Sequence, residues 1–200
     1  IVAVLTKPYP CPGRCAYCPD ENRMPKSYLS NEPAVMRAIA TKFHPYKQAQ
    51  ARLKMLEANG HQTDKVEMIV MGGTFSHFPA QYQKWFIKEC FRALNDYPKN
   101  FSAGSQAGSL EKEKKRNEKN AHRMIGLTLE TRPDHITVQG VANFRKLGAT
   151  RVEIGVQHLD DKILQLNKRG HGVRETARAT KLLKEAGFKI SYHLMPGLPG

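Results

Sequence analysis

Three cysteines lie within eight residues at the spacing C-x3-C-x2-C: Cys11, Cys15 and Cys18. They follow a short apolar run, Ile1–Leu5, that can form a strand. Prolines on either side of Cys11 and a glycine at position 13 keep this loop out of a helix, so the three thiolates can converge on one point. The spacing therefore predicts a loop that wraps a single metal centre.

The number of thiols bears on which metal this loop holds. Structural zinc takes four protein ligands, often as two C-x2-C pairs, and neither a second pair nor a suitable His pair follows here. A 4Fe-4S cluster is normally held by four thiolates, so three would leave one iron open. A disulfide framework is disfavoured because the fourth cysteine, Cys90, is distant and a chain of 200 residues can build its own core. We interpret Cys90 as a buried thiol on a helix.

Tyr17, one residue before Cys18, completes a C-x3-C-x-[aromatic]-C pattern, and this loop resembles that of the radical S-adenosylmethionine enzymes. The resemblance implies a 4Fe-4S cluster whose open iron is chelated by S-adenosylmethionine, with radical chemistry carried by the cofactor.

Charge and hydropathy limit the partners. Lys and Arg number 32 against 18 Asp and Glu, a formal net charge of +14. Such a field favours polyanions, either nucleic acid or a phosphorylated cofactor such as coenzyme A, although solubility alone is the plainer explanation. No stretch approaches the roughly 20 apolar residues of a membrane helix, so we expect no membrane partner and a cytoplasmic location.

Strand-like runs alternate with helical segments along the chain. The predicted strands are Ile1–Leu5, Val66–Met71, Ile125–Glu130, Arg151–Gln157 and Lys189–Met195. The predicted helices are Ala34–Phe43 with Asn31 as cap, Tyr46–Asn59 after an interrupting Pro45, Gln81–Leu94, Asp134–Leu147 with Asp134 as cap, Asp160–Leu166 and Val173–Ala186. We expect the charged stretch Ser102–Arg123 to be a surface linker. This alternation of strands and helices predicts an α/β fold built of right-handed βαβ units. The expected architecture is a partial (β/α)6-type barrel of parallel strands that is truncated at its C-terminal end. We expect residues 1–200 to be one domain of a longer protein, because the first residue is Ile and the last follows a strand-like run.

Polar and glycine residues follow the predicted strands, where a barrel carries its catalytic groups. Gly72-Gly73-Thr74 resembles the glycine motif that contacts the methionine amino group of S-adenosylmethionine, since a side chain would block that approach. Glu130 and Arg132 are candidates for its ribose hydroxyls and carboxylate, or for a structural ion pair. Gln157 is a candidate polar contact to the cofactor, and Arg169 can pair with the methionine carboxylate bidentately. We expect His171 at the surface. We expect His158 and His193 in structural roles, with proton transfer or cluster ligation by either of them as the alternative.

Longer strings resemble the radical S-adenosylmethionine domain of the archaeal-type Elongator catalytic subunit. They include Asn31–Ile39, Met71–Phe75, Gly126–Asp134, Arg151–Gln157, Arg169–His171 and His193–Pro199. This resemblance implies an acetyltransferase that activates the acetyl group of acetyl-CoA by radical chemistry and adds it to C5 of the wobble uridine of tRNA. It implies that Lys65 contacts acetyl-CoA. The implied partners are tRNA, a following acetyltransferase-like domain of the same protein, and a second copy or other Elongator-type subunits.

Two other classes of function stay open at this point. The chain could be a radical enzyme with a substrate other than tRNA. It could also be a non-catalytic iron–sulfur or zinc module that binds RNA, which the charge favours but the open coordination site and the glycine turn do not.

Overall fold

The computed structural model describes residues 1–19, 21–98 and 108–200. In these residues five parallel strands form one sheet in chain order, β1-β2-β3-β4-β5. The strands are β1 Val2–Leu5, β2 Lys65–Met71, β3 Arg123–Thr131, β4 Arg151–Gln157 and β5 Lys189–Leu194. The strand order is that of consecutive units of a β/α barrel, and the predicted fold class is confirmed.

Seven α-helices in the described residues connect and flank these strands: α1 Pro33–Ala40, α2 Pro45–Ala58, α3 Ala80–Asp96, α4 Leu110–Asn117, α5 Val138–Leu147, α6 Asp161–Leu166 and α7 Val173–Glu185. Short 3-10 turns at Phe75–His77 and Pro133–His135 follow β2 and β3. None of the helices described has the length and apolar character needed to cross a membrane.

Alternate strand residues pack against the helices and form the core. Val70, Leu129 and Val152 are completely buried, in one cluster with Phe86 and Phe144 from the helical layer. Each such aliphatic side chain contributes roughly 1.5–3 kcal/mol through burial. Because side chains alternate along a strand, the neighbours of these residues face the other side of the sheet.

That other face carries polar side chains at the carboxyl ends of the strands. Glu130 and Glu153 are register partners across β3 and β4, next to the core pair Leu129 and Val152. The fold therefore separates an apolar face under the helices from a polar face that ends at the carboxyl edge of the sheet.

Two predicted helix caps are wrong, and a third helix start moves by one residue. Pro45 separates α1 from α2 as predicted, but it is itself the first residue of α2, since the first position of a helix needs no backbone N–H. Glu32, not Asn31, occupies the N-cap position of α1. Thr137 caps α5 by accepting a bond of 3.0 Å from the backbone N–H of Gly140, whereas Asp134 is drawn into an ion pair.

The predicted linker Ser102–Arg123 also differs from the structure. Its residues 102–107 lie outside the described residues, but Leu110–Asn117 forms α4, and Leu110 and Asn117 are buried. Asn117 donates to the side-chain oxygen of Asn95 at 2.7 Å, which ties α4 to α3. This segment is therefore part of the folded layer and not a surface excursion.

Candidate active site

A cavity of about 390 Å³ lies at the carboxyl edge of the sheet. It receives the loops that follow β1, β2, β3 and β4, because parallel strands end at the same edge. Ten of the eleven residues predicted for the site line this cavity: Cys11, Cys15, Cys18, Gly72, Gly73, Thr74, Glu130, Arg132, Gln157 and Arg169.

The eleventh residue, Lys65, is the first residue of β2 and is exposed. The glycine turn follows the last residue of the same strand, so Lys65 lies roughly 20 Å from it at about 3.3 Å per residue. Lys65 does not line the cavity, and a contact between this lysine and acetyl-CoA stays a prediction.

All four cysteines are free thiols. Tetrahedral zinc, with Zn–S distances of about 2.3 Å, would hold its thiolates within about 4 Å of one another. Among the described residues, the group of three Cys, His, Asp or Glu ligand atoms that lies within 4.8 Å is Glu130, Glu153 and His193, and not the cysteines. The three cysteine side chains line one cavity, but in the described residues their sulfurs do not all lie within 4.8 Å of one another.

Cys15 has two arginines beside its sulfur. Nη1 of Arg169 lies 3.2 Å from Sγ, and Nη1 of Arg132 lies 3.7 Å from it. Burial of the Cys15 side chain opposes ionisation, but the hydrogen bond and charge of Arg169, with the charge of Arg132, outweigh burial and lower the pKa of the thiol. The site therefore favours the thiolate, which is the form that binds metal.

Arg132 is fixed by partners on two sides. Its Nε and Nη2 donate to the two carboxylate oxygens of Asp134 at 3.0 and 2.9 Å, and Nη2 also donates to the backbone oxygen of Arg169 at 2.7 Å. A Cβ atom at position 13 would lie 2.0 Å from Nη1 of Arg132, so the cysteine loop requires Gly13 there. Arg132 thus forms an ion pair and at the same time packs against the cysteine loop.

Arg169 is held without a carboxylate partner among the described residues. Its Nε donates to Nε2 of His171 at 2.9 Å, and its Nη2 donates to the backbone oxygen of Gly155. His171 is 8% exposed, so the prediction of a surface histidine is wrong. Burial, and then the charge of Arg169, lower the pKa of His171 and keep it neutral, which lets Nε2 accept the bond.

The turn after β2 requires glycine. Gly72 and Gly73 have φ angles of +135° and +84°, in the region that side chains disfavour. A Cβ atom on Gly72 would lie 1.9 Å from Oγ1 of Thr6. The turn therefore brings bare backbone to the cavity wall, where a ligand can approach it closely.

Glu130 is the buried acid of the site. The Tyr28 hydroxyl donates to Oε2 of Glu130 at 2.6 Å, and the backbone N–H of Gly72 lies 3.4 Å from the same oxygen. Burial raises the pKa of the Glu130 carboxyl, although the bond from Tyr28 opposes this rise. Tyr28 lies 102 residues from Glu130 in sequence, and no local pattern pointed to the pair.

His193 and Glu153 form a second polar pair in the cavity. Nε2 of His193 lies 3.1 Å from Oε2 of Glu153, and the side chain of His193 is 45% exposed. The pair offers a proton acceptor beside Glu130. The alternation of side chains along β4 could have placed Glu153 on the polar face of the sheet. Its pairing with His193 could not be predicted in this way, because His193 lies on the neighbouring strand β5.

Gln157 ends β4 with a φ of +73°, which is rare for a residue with a side chain. The backbone N–H of Met195 donates to its carbonyl at 2.8 Å, and the register of β4 and β5 shifts between Ile154 and Gln157. This irregular strand end places Gln157 in the cavity lining. Such a backbone conformation at a strand end is typical of functional sites.

Comparison with known proteins gives matches over nearly the whole chain. The model of the Radical SAM superfamily matches residues 9–200. The tRNA uridine(34) acetyltransferase of Methanocaldococcus infernus is 48% identical over 206 residues, and that of Dehalococcoides mccartyi is 50% identical over 199 residues. Elongator complex protein 3 of Drosophila melanogaster is 37% identical over 210 residues. Each alignment covers 100% of this chain, which spans 37%, 42% and 37% of those relatives.

Solved structures agree with these matches. The archaeal Methanocaldococcus infernus Elp3 with an N-terminal deletion superimposes with a TM-score of 0.79 at 42% identity, covering 100% of this chain and 38% of the other. HydG, a maturase of the [FeFe]-hydrogenase, superimposes with a TM-score of 0.55 at 15% identity, covering 98% of this chain and 35% of the other. At that identity the second likeness concerns the fold alone.

Proposed function

Because this chain belongs to the Radical SAM superfamily, we propose that Cys11, Cys15 and Cys18 hold a 4Fe-4S cluster and that the adjoining cavity binds S-adenosylmethionine. The observation that carries the proposal is the convergence of three free thiols and two arginines at one edge of the sheet. When bound, this cofactor pair supplies hydrogen abstraction from an unactivated C–H bond.

The donor set and its charges fit a cluster. Thiolates are the normal ligands of iron–sulfur clusters, and three of them leave one iron for another ligand. Arg132 and Arg169 compensate the negative charge of the thiolates, and hydrogen bonds to cluster sulfurs are a principal means of tuning a cluster. Arg132 is itself partly neutralised by Asp134, so the positive charge available to a second ligand is mainly that of Arg169.

The remaining lining residues suit the parts of S-adenosylmethionine. The backbone of Gly72 and Gly73 accepts the methionine ammonium group, and Arg169 pairs with the methionine carboxylate. Glu130 and Gln157 offer oxygen acceptors for the ribose hydroxyls. Their fixed positions orient the ligand, which is the protein's share of cofactor chemistry.

The substrate assignment is supported by sequence similarity to the tRNA uridine(34) acetyltransferases. We propose that the longer protein activates the acetyl group of acetyl-CoA and joins it to C5 of the wobble uridine of tRNA. The acetyltransferase-like domain, Lys65 as an acetyl-CoA contact, and a second copy or other subunits belong to the same proposal. The net charge of +14 supports a polyanionic substrate.

The test is anaerobic reconstitution with iron and sulfide, followed by reduction with dithionite in the presence of S-adenosylmethionine. We expect about four irons per chain, a visible spectrum of a 4Fe-4S cluster, and formation of 5′-deoxyadenosine. If protein with a fully assembled cluster forms no 5′-deoxyadenosine, the proposal is refuted. Cleavage that responds to neither tRNA nor acetyl-CoA in the longer protein would reassign the substrate while keeping the cofactor.

A further inference from the structure

Four aromatic rings form a continuous row from the cavity wall to the protein surface. Tyr9 stacks on Phe78 with centroids 4.5 Å apart, Phe78 stacks on Tyr82 at 4.7 Å, and Tyr82 lies 5.5 Å from Trp85. Tyr9 and Phe78 line the cavity, whereas Trp85 is exposed on α3. We call these four residues the aromatic row.

Lysines accompany the aromatic row. Nζ of Lys7 lies 5.0 Å above the ring centre of Tyr82, and Lys84 and Lys88 flank Trp85 on α3. Lys84 lies 3.6 Å from Glu111 in an exposed pair, which stabilises little. Lys88 lies 3.5 Å from a carboxylate of Glu89, which is buried and also pairs with Arg92. The exposed side of the row is therefore aromatic and basic.

Core packing accounts for only part of the row. Phe78 is 5% exposed and belongs to the core, and the Tyr82 hydroxyl accepts a bond of 3.1 Å from the backbone N–H of Lys7. These contacts anchor the start of the cysteine loop on α3. Trp85 also packs edge-on against His44 and Phe86, with ring centres 5.5 and 6.3 Å away, but the residue stays 36% exposed. Part of this ring therefore remains accessible at the surface.

We propose that Tyr9 and Trp85, the two ends of the aromatic row, bind single-stranded RNA by stacking on the bases next to the nucleotide that enters the cavity. Phe78 is buried between Tyr9 and Tyr82, and Tyr82 is covered by Phe78 and by Nζ of Lys7, so these two rings support the ends. The inference rests on the proposed function, since a base whose carbon is to be modified must leave its stack to reach the cavity. Neighbouring bases then lose a stacking partner, and exposed aromatic rings can replace it for any base. Lys7 and Lys84, which are exposed, supply phosphate contacts along the same path.

The sequence contains a single tryptophan, so the fluorescence of Trp85 reports on this surface directly. We would titrate the 200-residue chain with a seven-nucleotide single-stranded RNA, with an RNA duplex and with heparin. A fluorescent label on the RNA gives the binding constant independently through anisotropy. We expect the single strand to quench Trp85, and heparin to bind through charge without the same quenching.

Two substitutions test the contribution of the rings at the ends of the row. Loss of one base–aromatic stack should weaken binding of the single strand about 5- to 150-fold in Trp85→Ala and in Tyr9→Leu, measured by anisotropy. Trp85→Ala removes an exposed side chain, so it keeps the test decisive if Tyr9→Leu fails to fold. The matched control is Tyr192→Leu, which removes a tyrosine that is 41% exposed on β5 and should leave the binding constant unchanged.

Three outcomes would overturn the inference. Saturating single-stranded RNA could leave the fluorescence of Trp85 unchanged, or Trp85→Ala could bind the RNA as tightly as the parent chain. The chain could also bind the duplex more tightly than the single strand. None of these measurements requires the cluster. If one of these three outcomes is found while the reconstituted protein still forms 5′-deoxyadenosine, the proposed function is retained. Only the binding of RNA by the aromatic row is then rejected.

Discussion

Arg92 and Arg169 are equally buried, each 7% exposed, but their surroundings differ. Arg92 in α3 pairs with Glu89 at 3.1 Å and with Asp96 at 3.4 Å, and its guanidinium lies 5.1 Å from the ring centre of Tyr46. The contacts given above for Arg169 are a thiol, a neutral imidazole and a carbonyl oxygen.

The difference separates a structural charge from one that is available to a ligand. A buried guanidinium is costly unless an anion compensates it. The helical layer supplies carboxylates for Arg92, whereas the described residues around Arg169 supply the Cys15 sulfur and neutral acceptors. The two equally buried arginines therefore differ in whether the fold itself supplies the compensating anion.

The largest effect should come from the thiols. We expect Cys15→Ala to abolish cluster binding and all cleavage of S-adenosylmethionine, because two thiolates cannot replace three. The measurement is iron and sulfide content with the visible spectrum, alongside assay of 5′-deoxyadenosine. The matched control is Cys90→Ala in the helical layer, which should keep the cluster and lose about 1 kcal/mol, or roughly 2–4 °C in Tm, through its cavity. A cluster retained in Cys15→Ala would refute the ligand assignment.

The next effect concerns the compensated arginine. Arg92→Met should lower the free energy of unfolding by about 3 kcal/mol, because Glu89 would stay buried and keep only Lys88, at 3.5 Å, as its cation. Urea unfolding followed by circular dichroism measures the loss. Affinity for S-adenosylmethionine in the surviving folded protein should not change. A marked drop in that affinity would break the distinction between the two regions.

Arg169→Met should show the reverse pattern. The loss of charge-assisted hydrogen bonds should weaken binding of S-adenosylmethionine about 10- to 150-fold. Stability of the free protein should change less than in Arg92→Met, since no carboxylate among the described residues loses its partner. Equilibrium binding of S-adenosylmethionine to the reconstituted protein, with urea unfolding in parallel, tests both statements. Unchanged affinity would remove Arg169 from the ligand contacts.

The smallest effect is a pH dependence of stability at Glu130. Burial raises the pKa of this carboxyl in the folded state, so the folded protein binds its proton more tightly than the unfolded chain. Protonated Glu130 therefore contributes to the stability of the folded protein. This contribution is complete below the pKa of the carboxyl in the unfolded chain, about 4.3, and is lost as the pH rises through its raised pKa in the folded protein. Glu130→Gln removes this loss, so its stability relative to the parent should increase from pH 4 towards neutrality.

Urea unfolding at several pH values measures that trend. The control is Glu175→Gln at the start of α7, where a bond from the backbone N–H of Gly172 lowers the carboxyl pKa. Its contribution is present above the unfolded pKa and is lost as the pH falls, so the control should show the opposite slope. Parallel curves for Glu130→Gln and the parent would contradict the burial argument.

Local patterns sufficed for much of the fold. The strands Val66–Met71 and Arg151–Gln157 were predicted within one residue of β2 and β4, because buried parallel strands have apolar runs bounded by loop residues. Helix caps were less accurate, as at Asn31 and Asp134. There the outcome depended on which of several polar residues found a tertiary partner.

The polar pairs of the site could not be inferred in this way. The bond between Tyr28 and Glu130 joins residues 102 positions apart, and the bond between Arg169 and Cys15 joins residues 154 apart. His171 was expected at the surface and instead lies buried beside Arg169. Sequence spacing carries no information on such contacts, because loop lengths and packing of the helices set them.

The order of residues was enough to predict the cysteine loop, the alternating elements and the edge of the sheet that carries the candidate site, since each depends on local spacing or on a short period. Folding in three dimensions settled which cations face the thiols, which acid is buried, and that Tyr9 and Trp85 belong to one row of rings. Those features arise from contacts between distant segments, and their energies depend on burial and partners that a linear chain does not have.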